Sequence, residues 1–156
     1  MPVKHFTNKD RNKVRRYMID YYSADDEYNK DRFPKLKTKK ERAVAYMEAD
    51  GKSATSNYDN RYGRNKYREG ERLVDGGNFG CYYNDAYELV KKVYGKKKAD
   101  EYADRDDDTI WKIYRGLIAK EYTGMVNDLH SGKDVMLKTT SKTKKSPAKK
   151  KTSRWR

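Results

Sequence analysis

Residues 36–63 read LKTKKERAVAYMEADGKSATSNYDNRYG and residues 71–83 read ERLVDGGNFGCYY. Thr38-Lys39-Lys40-Glu41 has the form of a capping box, in which threonine and glutamate satisfy each other's backbone N–H groups at a helix start. Ala43, Val44 and Met47 then form an apolar face, and Gly51 stands where a helix-ending glycine is expected. The pattern predicts a helix over 36–51, then a polar turn and a second short helix within 52–63, capped by Ser53, Thr55 or Ser56. In the second stretch, Asp75-Gly76-Gly77-Asn78 supplies the positive φ of a tight turn between Leu73-Val74 and Phe79–Tyr83, which predicts a β-hairpin. Helix, turn, helix and hairpin is the order of a winged helix-turn-helix. The expected fold class is therefore mainly α (α+β): four helices with one β-hairpin, winged-helix-turn-helix-like, plus a disordered basic C-terminal tail.

Working outward, Thr7 and Asp10 suit the start of a helix. Val14, Tyr17, Met18 and Tyr21 follow on one stripe, with Arg11, Lys13, Arg15 and Arg16 on the other faces. The acidic run from Ser23 to Asp31 and Pro34 mark its end. Downstream, Asp85 is placed to cap a helix whose core stripe is Ala86, Leu89, Val90 and Val93, ending at Gly95. Residues 96–104 read as a charged, partly helical connection. Ile110, Ile113, Tyr114, Leu117 and Ile118 give the most apolar helix of the chain, with Gly124 as its natural stop. Trp111 flanks that stripe, as a core residue or as the anchor of a dimer contact. Met125–Leu137 reads as a short amphipathic segment with a Ser131-Gly132 turn. The division expected is one compact domain over 1–137 and a basic low-complexity tail over 138–156.

Charge is the strongest functional signal. The 156 residues carry a net charge of +14, but residues 1–72 carry +7, residues 73–137 carry −2 and residues 138–156 carry +9. Solubility alone does not require such segregation, whereas a polyanionic partner does. Fifteen tyrosines against three phenylalanines favour half-buried positions and contact surfaces, because tyrosine packs its ring and keeps its hydroxyl wet. Tyrosines and cations interleave most closely at Lys52, Tyr58, Arg61, Tyr62, Arg64, Lys66, Tyr67 and Arg68. Arginines neutralise phosphates and fork onto guanine, and tyrosines stack on bases. In the tail, Lys144, Lys145, Lys149, Lys150, Lys151 and Arg154 are the residues expected along a phosphate backbone. The tail has almost nothing to bury, which is why disorder is expected when it is free.

Catalytic material is sparse. His5, His130 and the single Cys81 form no ligand-spaced or nucleophile–base cluster. Asp104, Asp106 and Asp108 alternate as in a calcium loop, yet Thr109 and Arg115 occupy the positions where that loop needs glycine and glutamate. Acidic charge favouring a helix N-terminus is the better account. Gly76-Gly77-x-x-Gly80 lacks the lysine and hydroxyl of a phosphate loop. One cysteine allows no intramolecular disulfide, and no apolar run approaches a membrane span, so a cytoplasmic protein is expected.

Leu36, Thr38, Lys39, Glu41, Arg42, Tyr46, Met47, Gly51, Ala54, Thr55 and Tyr58 fall near the places of a known pattern. It runs Leu-Thr-x-Lys-Gln, a helix ending in Tyr-Leu, Gly-Asn-Ala-Thr and a helix closing at Gly-Tyr. Over these 28 residues the chain resembles the DNA-binding segment of phage terminase small subunits, which implies helix-turn-helix geometry and a phage origin. Ser146-Pro147-Ala148-Lys149-Lys150-Lys151 resembles the Ser-Pro-x-Lys tails of linker histones, which favour the DNA minor groove. The function expected is a non-enzymatic small basic protein that binds nucleic acid, DNA favoured over RNA, with no metal, no cofactor and no membrane. The alternatives are an RNA-binding protein, or a protein–protein interaction module or homo-oligomer, such as a phage assembly factor or an anti-CRISPR-like inhibitor of a nucleic-acid enzyme.

Overall fold

The computed structural model describes residues 6–62, 73–74 and 82–139, with the side chains of 55–62 and of Asp107 left aside. Among these there are six helices and no strand: α1 (Asn8–Tyr22), α2 (Asp26–Arg32), α3 (Lys39–Tyr62), α4 (Tyr83–Tyr94), α5 (Lys96–Arg105) and α6 (Asp107–His130). Helix α6 is the centre of the packing, in contact with α1, α3, α4 and α5, while α2 lies on α3. Its 24 residues extend about 36 Å, long enough to serve every neighbour. Ile110, Tyr114, Ile118, Tyr122 and Met125 run down its inner side at helical spacing, each no more than 3% exposed. Val14 and Met18 from α1, Val44 and Met47 from α3, and Leu89, Val90 and Val93 from α4 close around them. Each fully buried aliphatic chain of this kind contributes about 1.5–3 kcal/mol.

The helix starts follow their caps. Thr7 accepts from the Asp10 N–H at 3.1 Å. The capping box forms in both directions, with the Glu41 N–H donating to Thr38 Oγ1 and the Thr38 N–H to Glu41 Oε1, both at 3.1 Å. Asp106 caps α6 through the Thr109 N–H at 2.8 Å, which is the use of its carboxylate here. Asp85 lies in the first turn of α4 and does not cap it; that helix opens at Tyr83 after Tyr82. The acidic run after α1 contains a helix of its own, α2, capped by Asp25 through the Tyr28 N–H.

The winged helix-turn-helix and the four-helix count are corrected. Lys39–Tyr62 is one uninterrupted helix, with no turn after Gly51. Gly51 is needed for a close approach: a Cβ there would stand 2.5 Å from the Tyr122 hydroxyl and 2.8 Å from its ring. Gly124 likewise does not stop α6, because a Cβ there would collide with the Arg15 guanidinium. Both glycines are notches at helix contacts. The hairpin fails at both ends. Leu73 and Val74 are helical and buried in the core, and Tyr83 is already in α4. Two adjacent apolar residues fit either secondary structure, and burial decides between them. Residues 75–81 and the tail from residue 140 onward lie outside the described residues.

Candidate nucleic-acid interface

Of the residues expected to bind nucleic acid, Lys52 is the one whose side chain is described. It is exposed on α3, and its ammonium lies 3.4 Å from Glu48 Oε2. The same carboxylate meets His130 Nε2 at 2.8 Å. Lys52 is thus one member of a small cluster joining α3 to the end of α6. The backbone of Tyr58, Arg61 and Tyr62 forms the last turns of α3. Arg64, Lys66, Tyr67, Arg68, Lys144, Lys145, Lys149, Lys150, Lys151 and Arg154 lie outside the described residues.

Two lysine surfaces that the sequence reading passed over are present. The first leads into α3, where Lys35, Lys37 and Lys39 are all exposed and form no ion pair with another described residue. Lys40 beside them is engaged by Asp134 at 3.5 Å. Their signal was alternation, with a lysine at every second position across the Thr38 cap. The second surface is at the corner of α1, α4 and α5. Lys13 Nζ donates to the Lys92 carbonyl at 3.2 Å, which brings α1 and the end of α4 together. Lys92, Lys97 and Lys98 are exposed there, and Lys9 is exposed one turn earlier on α1. Lys96 is held by Asp100 at 2.6 Å, and this ion pair raises the lysine pKa and lowers that of the aspartate.

The chain after α6 is tied to the same end of α1. Asn12 accepts from the Leu137 N–H at 2.9 Å and donates to the Leu137 carbonyl at 2.8 Å. Asn8 donates to the Lys138 carbonyl at 2.9 Å. Beneath this strap, Arg15 is 1% exposed and donates to Glu121 at 2.7 Å, to Asp128 at 2.9 Å and to the Val135 carbonyl at 2.8 Å. Arg11 grips Glu121 as well, at 2.9 and 3.2 Å. Sequence reading left Arg15 off the apolar stripe; its carboxylate partners are 106 and 113 residues away, beyond the reach of any local pattern.

An aromatic surface lies where α2 packs on α3. Arg32 sits over the rings of Tyr28, Phe33 and Tyr46 at 5.4–5.8 Å. Tyr21 and Tyr28 are 46% and 49% exposed. Tyr22 next to them donates to Asp50 at 2.6 Å, and burial together with that carboxylate pushes the phenol pKa far up. Trp111 is half-buried, edge-on to Tyr83 and Tyr114. Among the described residues no helix is long and apolar enough to cross a membrane. Compared with protein-family models, curated proteins and solved structures, the chain has no match.

Proposed function

We propose that this is a non-catalytic nucleic-acid-binding protein that prefers duplex DNA. The observation that carries the reading is the segregation of charge. The half up to residue 72 and the tail are strongly basic, and the region between them is slightly acidic. Exposed lysines without ion pairs among the described residues, at 35, 37 and 39 and at 9, 92, 97 and 98, extend that argument to the folded surface. Such cations release counterions from a phosphate backbone, so binding weakens steeply with salt. Groove entry by a short second helix with a hairpin wing is not part of this reading.

The test is a salt titration of full-length protein and of residues 1–137 against duplex DNA, single-stranded DNA and structured RNA. Duplex is expected to bind tightest, and removal of 138–156 is expected to flatten the slope of log K against log salt by roughly four or five. An unchanged slope removes the tail from the function. Absence of binding at physiological salt discards the reading.

A protein partner is the second reading, favoured by Tyr21, Tyr28 and the ring-stacked Arg32, since exposed tyrosine and arginine dominate interface energetics. Under it, Tyr28→Ala and Arg32→Ala weaken association while the lysine substitutions leave it unchanged.

A further inference from the structure

Helices α1 and α6 do not meet along their whole length. Beside Val14, Ile113 and Leu117 they leave a groove of about 200 Å³, lined also by Phe6 and Tyr94. Gly116 lies in its wall, and a Cβ at this position would meet nothing within 4 Å. This glycine therefore differs from Gly51 and Gly124, where a neighbouring side chain fills the space. The aromatic part of the lining is a row of packed rings. Phe6 stands edge-on to Tyr94 at 5.6 Å, and Tyr94 edge-on to the buried Tyr102 at 5.6 Å.

The charges around the groove are unequal. Glu121 is taken by Arg11 and Arg15, and Asp10 lies 3.6 Å from Lys13. Lys112 and Lys120 remain exposed on the rim, without an ion pair to another described residue. With Gly116 they form an i, i+4, i+8 series on one face of α6, which places the two ammonium stems about 12 Å apart on either side of the gap. Lys120 Nζ lies 5.9 Å from the Phe6 ring centre, so a cation already faces the aromatic lining. An apolar slot with a few convergent polar groups at its edge is the usual form of a small-ligand site.

We propose that the α1–α6 groove binds a small aromatic anion, its ring lying over Gly116 against Phe6 and Leu117 and its carboxylate or sulfonate met by Lys112 or Lys120. The volume suits one fused ring system and excludes a peptide helix, and the rim charge selects an acid over a neutral ring. This site does not depend on the nucleic-acid reading.

Isothermal titration of the full-length protein with naphthoate tests it, with naphthylmethanol as the uncharged ring and inorganic phosphate as the ring-free anion. Saturable binding of naphthoate with one site per chain is expected, and much weaker binding of either control. Gly116→Leu fills the groove and is expected to weaken naphthoate by about tenfold or more, the equivalent of a lost ring contact. Because leucine favours helix over glycine and the backbone leaves room for a Cβ at this position, the variant should melt no lower than the parent. Lys112→Gln with Lys120→Gln should reduce naphthoate affinity to that of naphthylmethanol. Unchanged affinity in Gly116→Leu, equal affinity for phosphate, or no saturable naphthoate binding each overturns the proposal. The last result, joined to a changed oligomeric state in Gly116→Leu, would mean that a second copy of the chain covers the groove.

Discussion

The ring of Tyr122 lies on the backbone of Gly51, leaving no room for even a methyl group between α3 and α6. Glycine inside a helix costs about 0.5–1 kcal/mol relative to alanine, a cost sustained here because the two helices cross at this point. Gly51→Ala is therefore expected to destabilise by about 1–3 kcal/mol, against the direction of its helix propensity. In a Tyr122→Ala background the same change should become stabilising. Urea unfolding of the four proteins checks this cycle, and a stabilising Gly51→Ala in the parent would contradict the contact.

Glu121 is 2% exposed and holds two guanidinium groups. Glu121→Ala strands Arg15 in the interior with Asp128 as its remaining carboxylate, and a loss of about 3–5 kcal/mol is expected. Replacing Arg15 and Glu121 together by methionine and leucine should recover much of that loss, because it also removes the desolvation of both charges. Denaturant midpoints decide, and a double variant as unstable as Glu121→Ala would show that packing rather than charge was at stake.

Stability should fall in acid, through identifiable carboxylates. Arg42 forks onto Asp26 with two bonds of 2.9 Å and holds its pKa below the ordinary value of 3.8. Lys96 and Tyr87 do the same for Asp100, the Thr109 N–H and hydroxyl for Asp106, and the Met136 N–H for Asp134. A carboxylate whose pKa is depressed in the fold stabilises fully above its unfolded pKa and loses that contribution as pH falls through the folded one. The midpoint of thermal unfolding should therefore decline below about pH 4. Asp26→Asn is expected to lower the plateau near neutrality and to flatten the acid limb. A limb of unchanged steepness would assign the acid sensitivity elsewhere.

Lys35, Lys37 and Lys39 form no ion pair with another described residue, and Lys39 contributes only a minor attraction to Asp26. Substituting all three by glutamine should leave the unfolding free energy within about 0.5 kcal/mol of the parent for each change, as for ordinary surface substitutions. It should reduce the salt slope of DNA binding by roughly two to three if each meets one phosphate. An unaltered slope would place the DNA on the α1–α4–α5 corner instead.

The caps at Thr7 and Thr38 were legible in the sequence because a capping box is written within four residues. The core stripes of α4 and α6 were legible because period 3.6 is a local signal. Helix α2 was missed, although Asp25, its acidic first turn and Lys30 and Arg32 in its last turn match the helix dipole. Gly51 and Gly124 misled for a deeper reason. A glycine that ends a helix and one that admits a neighbour look alike in sequence, and the neighbours here come from the far half of the chain. The burial of Arg15 was missed on the same grounds, since its carboxylate partners are set by topology. Of the interface, the segregation of charge was legible; the lysines left without ion pairs were not, because pairing depends on which acids the fold brings near.

Asn8 and Asn12 hold Leu137 and Lys138 against the opening turns of α1, so sequence positions 8 and 138 share one corner of the molecule. The chain is therefore held at Leu137 and Lys138 beside the turns of α1 that carry Lys9 and Lys13. Under the nucleic-acid reading, a polyanion bound at that corner would meet any cation joined to Lys138 at a local concentration fixed by the tether, whatever the protein concentration in solution. Cutting the clasp at both Asn8 and Asn12 would leave every charge in place while freeing Leu137 and Lys138 from α1, so a loss of affinity in that variant would measure the tether and not the charge.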